Sequence, residues 1–230
     1  MPFNPGVRVM ATNFPDTLFV TGTDTEVGKT VVSSVLMVGL RAEYWKPVQS
    51  GTEAGTDTQW IQSKTGLPDD CFHPEAFLLR HFLSPHTAAA REGVTIDLSA
   101  IHLPKRRRTR HLIVEGAGGI LAPLNERETM ADLIKKMNLP VLLVARSGLG
   151  TINHTLLSLE KLRHIGAQVL GVVMNGPKNK ENRAAIEGFG NIHVVGEIPP
   201  MPKITPQVLL NTFQHGFRFD ALLNSKIGGA

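Results

Sequence analysis

The sequence has almost no cysteine, no long apolar run and no cluster of histidines. Its 230 residues include one cysteine, Cys71, which excludes an intrachain disulfide and a cysteine-based metal site. No apolar run approaches the roughly 20 residues needed to span a bilayer, and the N-terminus lacks the apolar stretch of a secretory signal. The expectation is therefore a cytoplasmic protein with no membrane contact. The nine histidines are scattered without metal-ligand spacing, and no Ser/His/Asp arrangement can be assembled. No linker, internal repeat or low-complexity segment divides the chain. It reads as one domain over 17–215, with an N-terminal extension at 1–16 and a C-terminal tail at 216–230, both of them poorly organised.

What is present suits a sizeable core, with 42% hydrophobic residues. The formal net charge is +4, and much of the excess sits in Lys105-Arg106-Arg107-Arg108-Thr109-Arg110. Without an aromatic platform or a basic helix beside it, that run reads as a solvated connection into a buried strand, and no nucleic-acid partner is expected. Strand-like and helix-like segments alternate along the chain. Strands are predicted over 17–21, 43–48, 111–115, 141–145, 169–174 and 193–195. Helices are predicted over 31–40, 57–64, 84–91, 130–137, 152–165 and 181–187. The alternation implies an α/β fold, a largely parallel sheet with helices on both faces in three layers.

The strongest local signal is Gly22-Thr23-Asp24-Thr25-Glu26-Val27-Gly28-Lys29-Thr30, set between the first strand and the first helix. Strand, glycine-rich turn, Gly-Lys-Thr and helix are the context of a phosphate-binding loop. Backbone N–H groups in such a turn surround polyphosphate oxygens, Lys29 reaches the β- and γ-phosphates, and the Thr30 hydroxyl ligates Mg²⁺. The loop departs from the consensus by placing five residues, not four, between its two glycines.

Other polar residues recur at predicted strand ends, where open parallel sheets bind ligands. Glu115 ends an apolar strand and is followed by Gly116-Ala117-Gly118-Gly119. A carboxylate there suits Mg²⁺, and the glycines admit close backbone approach. Asp57 reads either as a third oxygen ligand or as a helix cap. Lys46, in Tyr-Trp-Lys-Pro-Val-Gln-Ser-Gly at 44–51, reads as a fixed cation for a transferred phosphoryl group or as a lysine on a sheet edge. Gly148-Leu149-Gly150-Thr151-Ile152-Asn153-His154 opens an amphipathic helix whose first amides either bind an anion or are merely capped.

Together the segments at 22–30 and 44–51, Ser-Pro-His-Thr-Ala-Ala at 84–89, Val-Glu-Gly-Ala-Gly-Gly at 114–119, the turn at 148–154 and Gly-Glu-Ile-Pro at 196–199 resemble the dethiobiotin synthetases. These are ATP-dependent cyclo-ligases of biotin synthesis, and the resemblance spans roughly 17–215. It implies that 7,8-diaminopelargonate, CO₂ and Mg-ATP give dethiobiotin, ADP and phosphate through a carbamate and a carbamic-phosphoric anhydride. It implies Lys46 and Lys29 as catalytic, and Thr30, Asp57 and Glu115 around Mg²⁺. ATP would be held by Glu26, Val27, Gly28, Lys29, Thr30 and Val31, with Asp57, Glu115, Gly116, Ala117 and Gly118 beside them. The adenine would lie against Asn175 and Gly176 and the loop Pro199, Pro200, Met201. The diamine would meet Thr25, Ser50 and Gly118, and its carboxylate Gly150, Thr151, Ile152 and Asn153 across a homodimer interface. Partitioning ATPases of the ParA and MinD kind are disfavoured, because Asp24 stands where they carry a second lysine.

Overall fold

The computed structural model describes residues 14–105, 107, 110–218 and 220. The outer parts of both expected terminal segments, and Arg106, Arg108 and Thr109 of the basic run, lie outside the described residues. In chain order the elements are β1 (Thr17–Gly22), α1 (Lys29–Leu40), β2 (Glu43–Trp45), β3 (Val48–Ser50), α2 (Asp57–Thr65), β4 (Phe72–His73), β5 (Phe77–Leu79) and α3 (Pro85–Arg91). They continue with β6 (Leu112–Glu115), α4 (Met130–Met137), β7 (Val141–Arg146), α5 (Thr151–His164), β8 (Val169–Asn175), α6 (Lys180–Gly190), β9 (Val194–Ile198) and α7 (Pro206–Gly216).

Seven strands form one sheet in the order β4-β2-β6-β1-β7-β8-β9, and each neighbouring pair is parallel. Strand residues alternate between two cores, as the period of two demands. Leu18, Val20, Leu142 and Val144 pack toward α1 and α7, whereas Phe19, Leu143 and Ala145 pack toward α4 and α5. Both faces are therefore covered, which is why the strands read as continuous apolar runs. The expected α/β architecture is the observed one. The central β1 lies between β6 and β7, so the chain switches direction across it and opens a crevice at the carboxyl ends of those strands.

Three local expectations need correction. The strand predicted over 43–48 stops at Trp45, and Val48–Ser50 instead pair with β5 in a separate two-stranded ladder. Pro47 sits at the break and has no N–H to continue a ladder, and its carbonyl accepts from Ala76 and Phe77. The pattern shows no helix after 199, yet α7 forms there. Thr205 caps it by accepting from the Val208 amide, Pro206 occupies its first turn, and Leu209 and Phe213, one turn apart, are buried. Finally, the chain is organised at both edges of the predicted domain. Phe14 and Phe217 pack with Phe213, with ring centroids 5.7–5.9 Å apart.

Helix α1 is buried almost all round because α7 covers the side that the sheet does not. At Gly39 the first helix packs directly against α7, for a Cβ there would run into the Phe213 ring. Gly39→Ala would gain about 1 kcal/mol of helix propensity, but overpacking a rigid ring costs about 1–3 kcal/mol. Net destabilisation is expected, read as a fall in thermal midpoint; an unchanged or raised midpoint would show that the helices can part without cost.

Candidate active site

The phosphate loop leaves β1 at the switch point and returns into α1. Glu26 (φ 58°) and Gly28 (φ 97°) both take left-handed conformations, which turn the loop inward. At Gly28 a side chain is also excluded by the Asn175 amide, whose Nδ2 donates to the Val27 carbonyl at 3.1 Å. The end of β8 thus braces the loop from behind. On its open side, Asp24 pairs with Arg146 at the end of β7, N to O 2.9 Å. Lys29 Nζ donates to the Asp24 carbonyl at 2.8 Å. Burial first, and then the nearby Lys46 charge, push the Lys29 ammonium down to about 8. An arriving phosphate would offset both effects, so this lysine is poised for an anion.

The centre of the site is a buried ionic cluster. Lys46 Nζ lies 2.5 Å from Asp57 Oδ2 and 3.3 Å from Glu115 Oε1. Glu115 is fully buried and Lys46 only 4% exposed. Glu115 Oε1 also accepts from the Thr30 hydroxyl at 3.0 Å, and Oε2 from Ser33 at 2.6 Å. Burial works against the Lys46 charge, but Glu115 and Asp57 outweigh it and hold the ammonium above the ordinary lysine value. The pairing favours the charged form of Lys46. Burial, and then the Glu115 charge, raise the Tyr44 phenol well above its usual value, which favours the neutral phenol.

The geometry speaks against the sheet-edge reading of Lys46 and the helix-cap reading of Asp57. Lys46 follows an interior strand, since β2 lies between β4 and β6, so it is not an edge lysine. Thr56, not Asp57, caps α2, in a capping box with Gln59. The Asp57 carboxylate is left for Lys46, and its amide is held by Gln49 Oε1 at 3.1 Å.

A cleft of about 630 Å³ opens over the cluster. Thr25, Glu26, Gly28, Lys29, Thr30 and Val31 line one side, and Lys46, Ser50, Asp57, Ala117 and Gly118 others. Several residues of the expected set lie elsewhere. Val27 and Gly116 are behind the loop, where Val27 packs in the core and the Gly116 amide bonds the Val20 carbonyl. Asn175 and Gly176 meet the end of β9 through the Gly176 amide and the Ile198 carbonyl, beside Pro199, Pro200 and Met201. Gly150 (φ 86°), Thr151, Ile152 and Asn153 do not line the cleft. The Thr151 hydroxyl donates to the Arg146 carbonyl at 2.5 Å and its amide to the Gly148 carbonyl at 3.2 Å, so an anion at that end of α5 would have to use the amides that follow.

Sequence reasoning missed Gln49, Trp60, Phe82, Leu83 and Pro85 on the cleft wall, and Ser33 beneath it. Ser33 had a legible signal, three residues after Thr30 on the same helix face. The exposed Phe82 ring had none, since its loop is placed by the β3–β5 ladder. For the loop itself, Gly28→Ala is expected to displace Asn175 and to weaken ADP binding by at least 10-fold in calorimetry. Unchanged ADP affinity would show that the left-handed turn at 28 is dispensable.

The chain matches a family described as an AAA domain over residues 16–208. It is 53% identical to ATP-dependent dethiobiotin synthetase BioD of Paramagnetospirillum magneticum, covering 82% of this chain and 90% of that protein. The BioD of Nitrobacter hamburgensis is 43% identical over 90% of this chain and 96% of its own length. Among solved structures, a ParA family ATPase from Chlorobium tepidum superposes with a TM-score of 0.51 at 9% identity, covering 94% of this chain and 98% of that one. That likeness shows the shared fold alone. With such identity running through nearly the whole length of these relatives, and with the loop and the lysine pair lining one cleft above a buried carboxylate, the chain belongs to the family of ATP-dependent dethiobiotin synthetases.

Proposed function

We propose that the cleft closes a ureido ring on 7,8-diaminopelargonate from CO₂ with consumption of ATP, giving dethiobiotin, ADP and phosphate. The observation that carries this reading is the pair of lysines with different partners in one cleft, Lys29 donating to the Asp24 carbonyl of the phosphate loop and Lys46 held between two carboxylates. One amine of the substrate adds to CO₂ and loses a proton, leaving a carbamate. A carbamate oxygen then attacks the γ-phosphorus, the bond to ADP breaks, and a carbamic-phosphoric anhydride forms. The second amine attacks its carbonyl carbon, expels phosphate and closes the ring. Every step before ring closure gathers negative charge between substrate and γ-phosphate. A preorganised cation stabilises such charge without reorganisation, which is the role assigned to Lys46, with Lys29 on the phosphates.

Thr25, Ser50 and Gly118 face the cleft and are assigned to the diamine; Asn175, Gly176 and the Pro199–Met201 turn are assigned to adenine. The donor set of Thr30 hydroxyl and the Glu115 and Asp57 carboxylates is one of hard oxygens, and it fits Mg²⁺. Among the described residues no group of three or more His, Cys, Asp or Glu is placed as a metal cage. That is in keeping with an ion that arrives on nucleotide phosphates and takes few protein ligands. Bound there, Mg²⁺ would supply charge neutralisation on the β- and γ-oxygens.

A homodimer belongs to the same reading. Leu121 (60% exposed) and Leu157 (58% exposed) flank a second hollow beside the α5 start, and Leu149 is fully exposed. A second copy covering these leucines would bring its own Gly150–Asn153 amides near the substrate's far end. A cytoplasmic location, where ATP is made available, completes the proposal.

Purified protein given Mg-ATP, bicarbonate and 7,8-diaminopelargonate is expected to yield dethiobiotin by mass spectrometry. ATP turnover that is independent of the diamine, with no product, would sink the proposal. Lys46→Ala is expected to keep nucleotide binding and to lose about 10²–10³-fold in kcat; wild-type turnover would remove Lys46 from the chemistry. Leu157→Glu is expected to convert a dimer to a monomer in light scattering, and a monomeric wild-type protein at micromolar concentration would contradict the interface.

A further inference from the structure

The geometry points to Ser33 as the positioning residue that holds the Glu115 carboxylate in the orientation presented to the nucleotide-borne cation and to Lys46. This rests on the magnesium reading above. Thr30 and Ser33, three residues apart, lie on one face of α1 and both reach across to the end of β6. They take one carboxylate oxygen each. Ser33 Oγ donates to Oε2 at 2.6 Å, within the range of a charge-assisted O–H···O⁻ bond, and Ser33 and Glu115 are both completely buried. Oε1 is the oxygen that faces Thr30 and Lys46.

The terminal torsion of a glutamate is broad and soft. With Oε2 held by Ser33, that torsion is restrained and Oε1 is kept toward Thr30 and Lys46, the residues that line the cleft. The neighbouring Ser34 shows what a helical serine does otherwise, for it bonds back to the Thr30 carbonyl one turn earlier at 2.8 Å. Ser33 leaves its own helix to bond a group 82 residues away. Thr30 cannot take over this task, because its hydroxyl is itself assigned to the cation. A merely structural serine, satisfying a buried acceptor, would affect stability and leave metal affinity alone.

The test separates the two. Ser33→Ala removes the donor, and Ser33→Cys keeps similar volume with a weak donor. Mn²⁺ serves as the probe in place of Mg²⁺, and its binding in the presence of ADP is measured by electron paramagnetic resonance. ADP binding without metal and the thermal midpoint are measured alongside. Ser33→Ala is expected to weaken Mn²⁺ binding by about 10–100-fold, with Ser33→Cys in between and metal-free ADP affinity within about twofold of wild type. Wild-type Mn²⁺ affinity in either variant would overturn the proposal, as would an equal loss of ADP binding with and without metal. If the wild type makes no dethiobiotin but Ser33→Ala still loses Mn²⁺, the reaction assignment fails and the positioning role stands.

Discussion

The site depends on a carboxylate that water cannot reach. Glu115 ends β6 inside the protein, and an ionised group so placed is tolerable only when fully paired. Lys46, Thr30 and Ser33 supply that pairing, and Asp57 shares the Lys46 ammonium from the cleft side. Removing one partner of a buried pair typically costs about 3–5 kcal/mol, so the cluster constrains the fold as well as the chemistry. It ties the second strand, the first helix and the third interior strand to a single point. The charge balance also explains why the two lysines behave differently. Lys46 has two carboxylates within reach and keeps its proton. Lys29 is disfavoured as a charge first by burial and then by the Lys46 charge, and among the described residues its ammonium donates to a carbonyl, so an arriving anion would offset the cost.

The parallel sheet delivers these groups to one place. Every strand of the main sheet points the same way, so the residues after β1, β2, β6 and β7 emerge at one edge. Covering both faces with helices excludes water from beneath that edge. The same arrangement couples the loop to its surroundings, through Asn175 behind Gly28 and Arg146 beside Asp24. Arg146 also offers its carbonyl to Thr151, so the phosphate loop and the start of α5 share one residue as support.

Much of this was legible in the chain. Glu115 was marked by its position at the end of an apolar run, Lys46 by an ammonium in a strand-to-turn segment, and α4 by a pattern matching its observed ends at Met130 and Met137. These signals arise from neighbours a few residues away. The break after Trp45 was not read, although Pro47 was visible, because strand propensity on both sides outweighed it. The α7 helix was missed despite its Thr205-Pro206 start, since its stability comes from packing on α1. The role of Asp57 stayed ambiguous because a helix start offers the same residue types to a cap and to a ligand; with Thr56 taking the cap, the carboxylate pairs with Lys46.

By itself, the sequence determined the phosphate loop, the parallel alternation of strands and helices, and the family. The first two are written in local spacing and periodicity, where backbone geometry within a few residues decides the outcome, and the family in a resemblance carried by six segments between 22 and 199. Tertiary structure decided which charges meet. Lys46 and Glu115 are 69 residues apart in the chain, Thr30 and Glu115 85, and Ser33 and Glu115 82. Spacing along the chain carries no information about such pairs, because the register of a parallel sheet and the desolvation of its interior set which groups become partners and how strongly each is held.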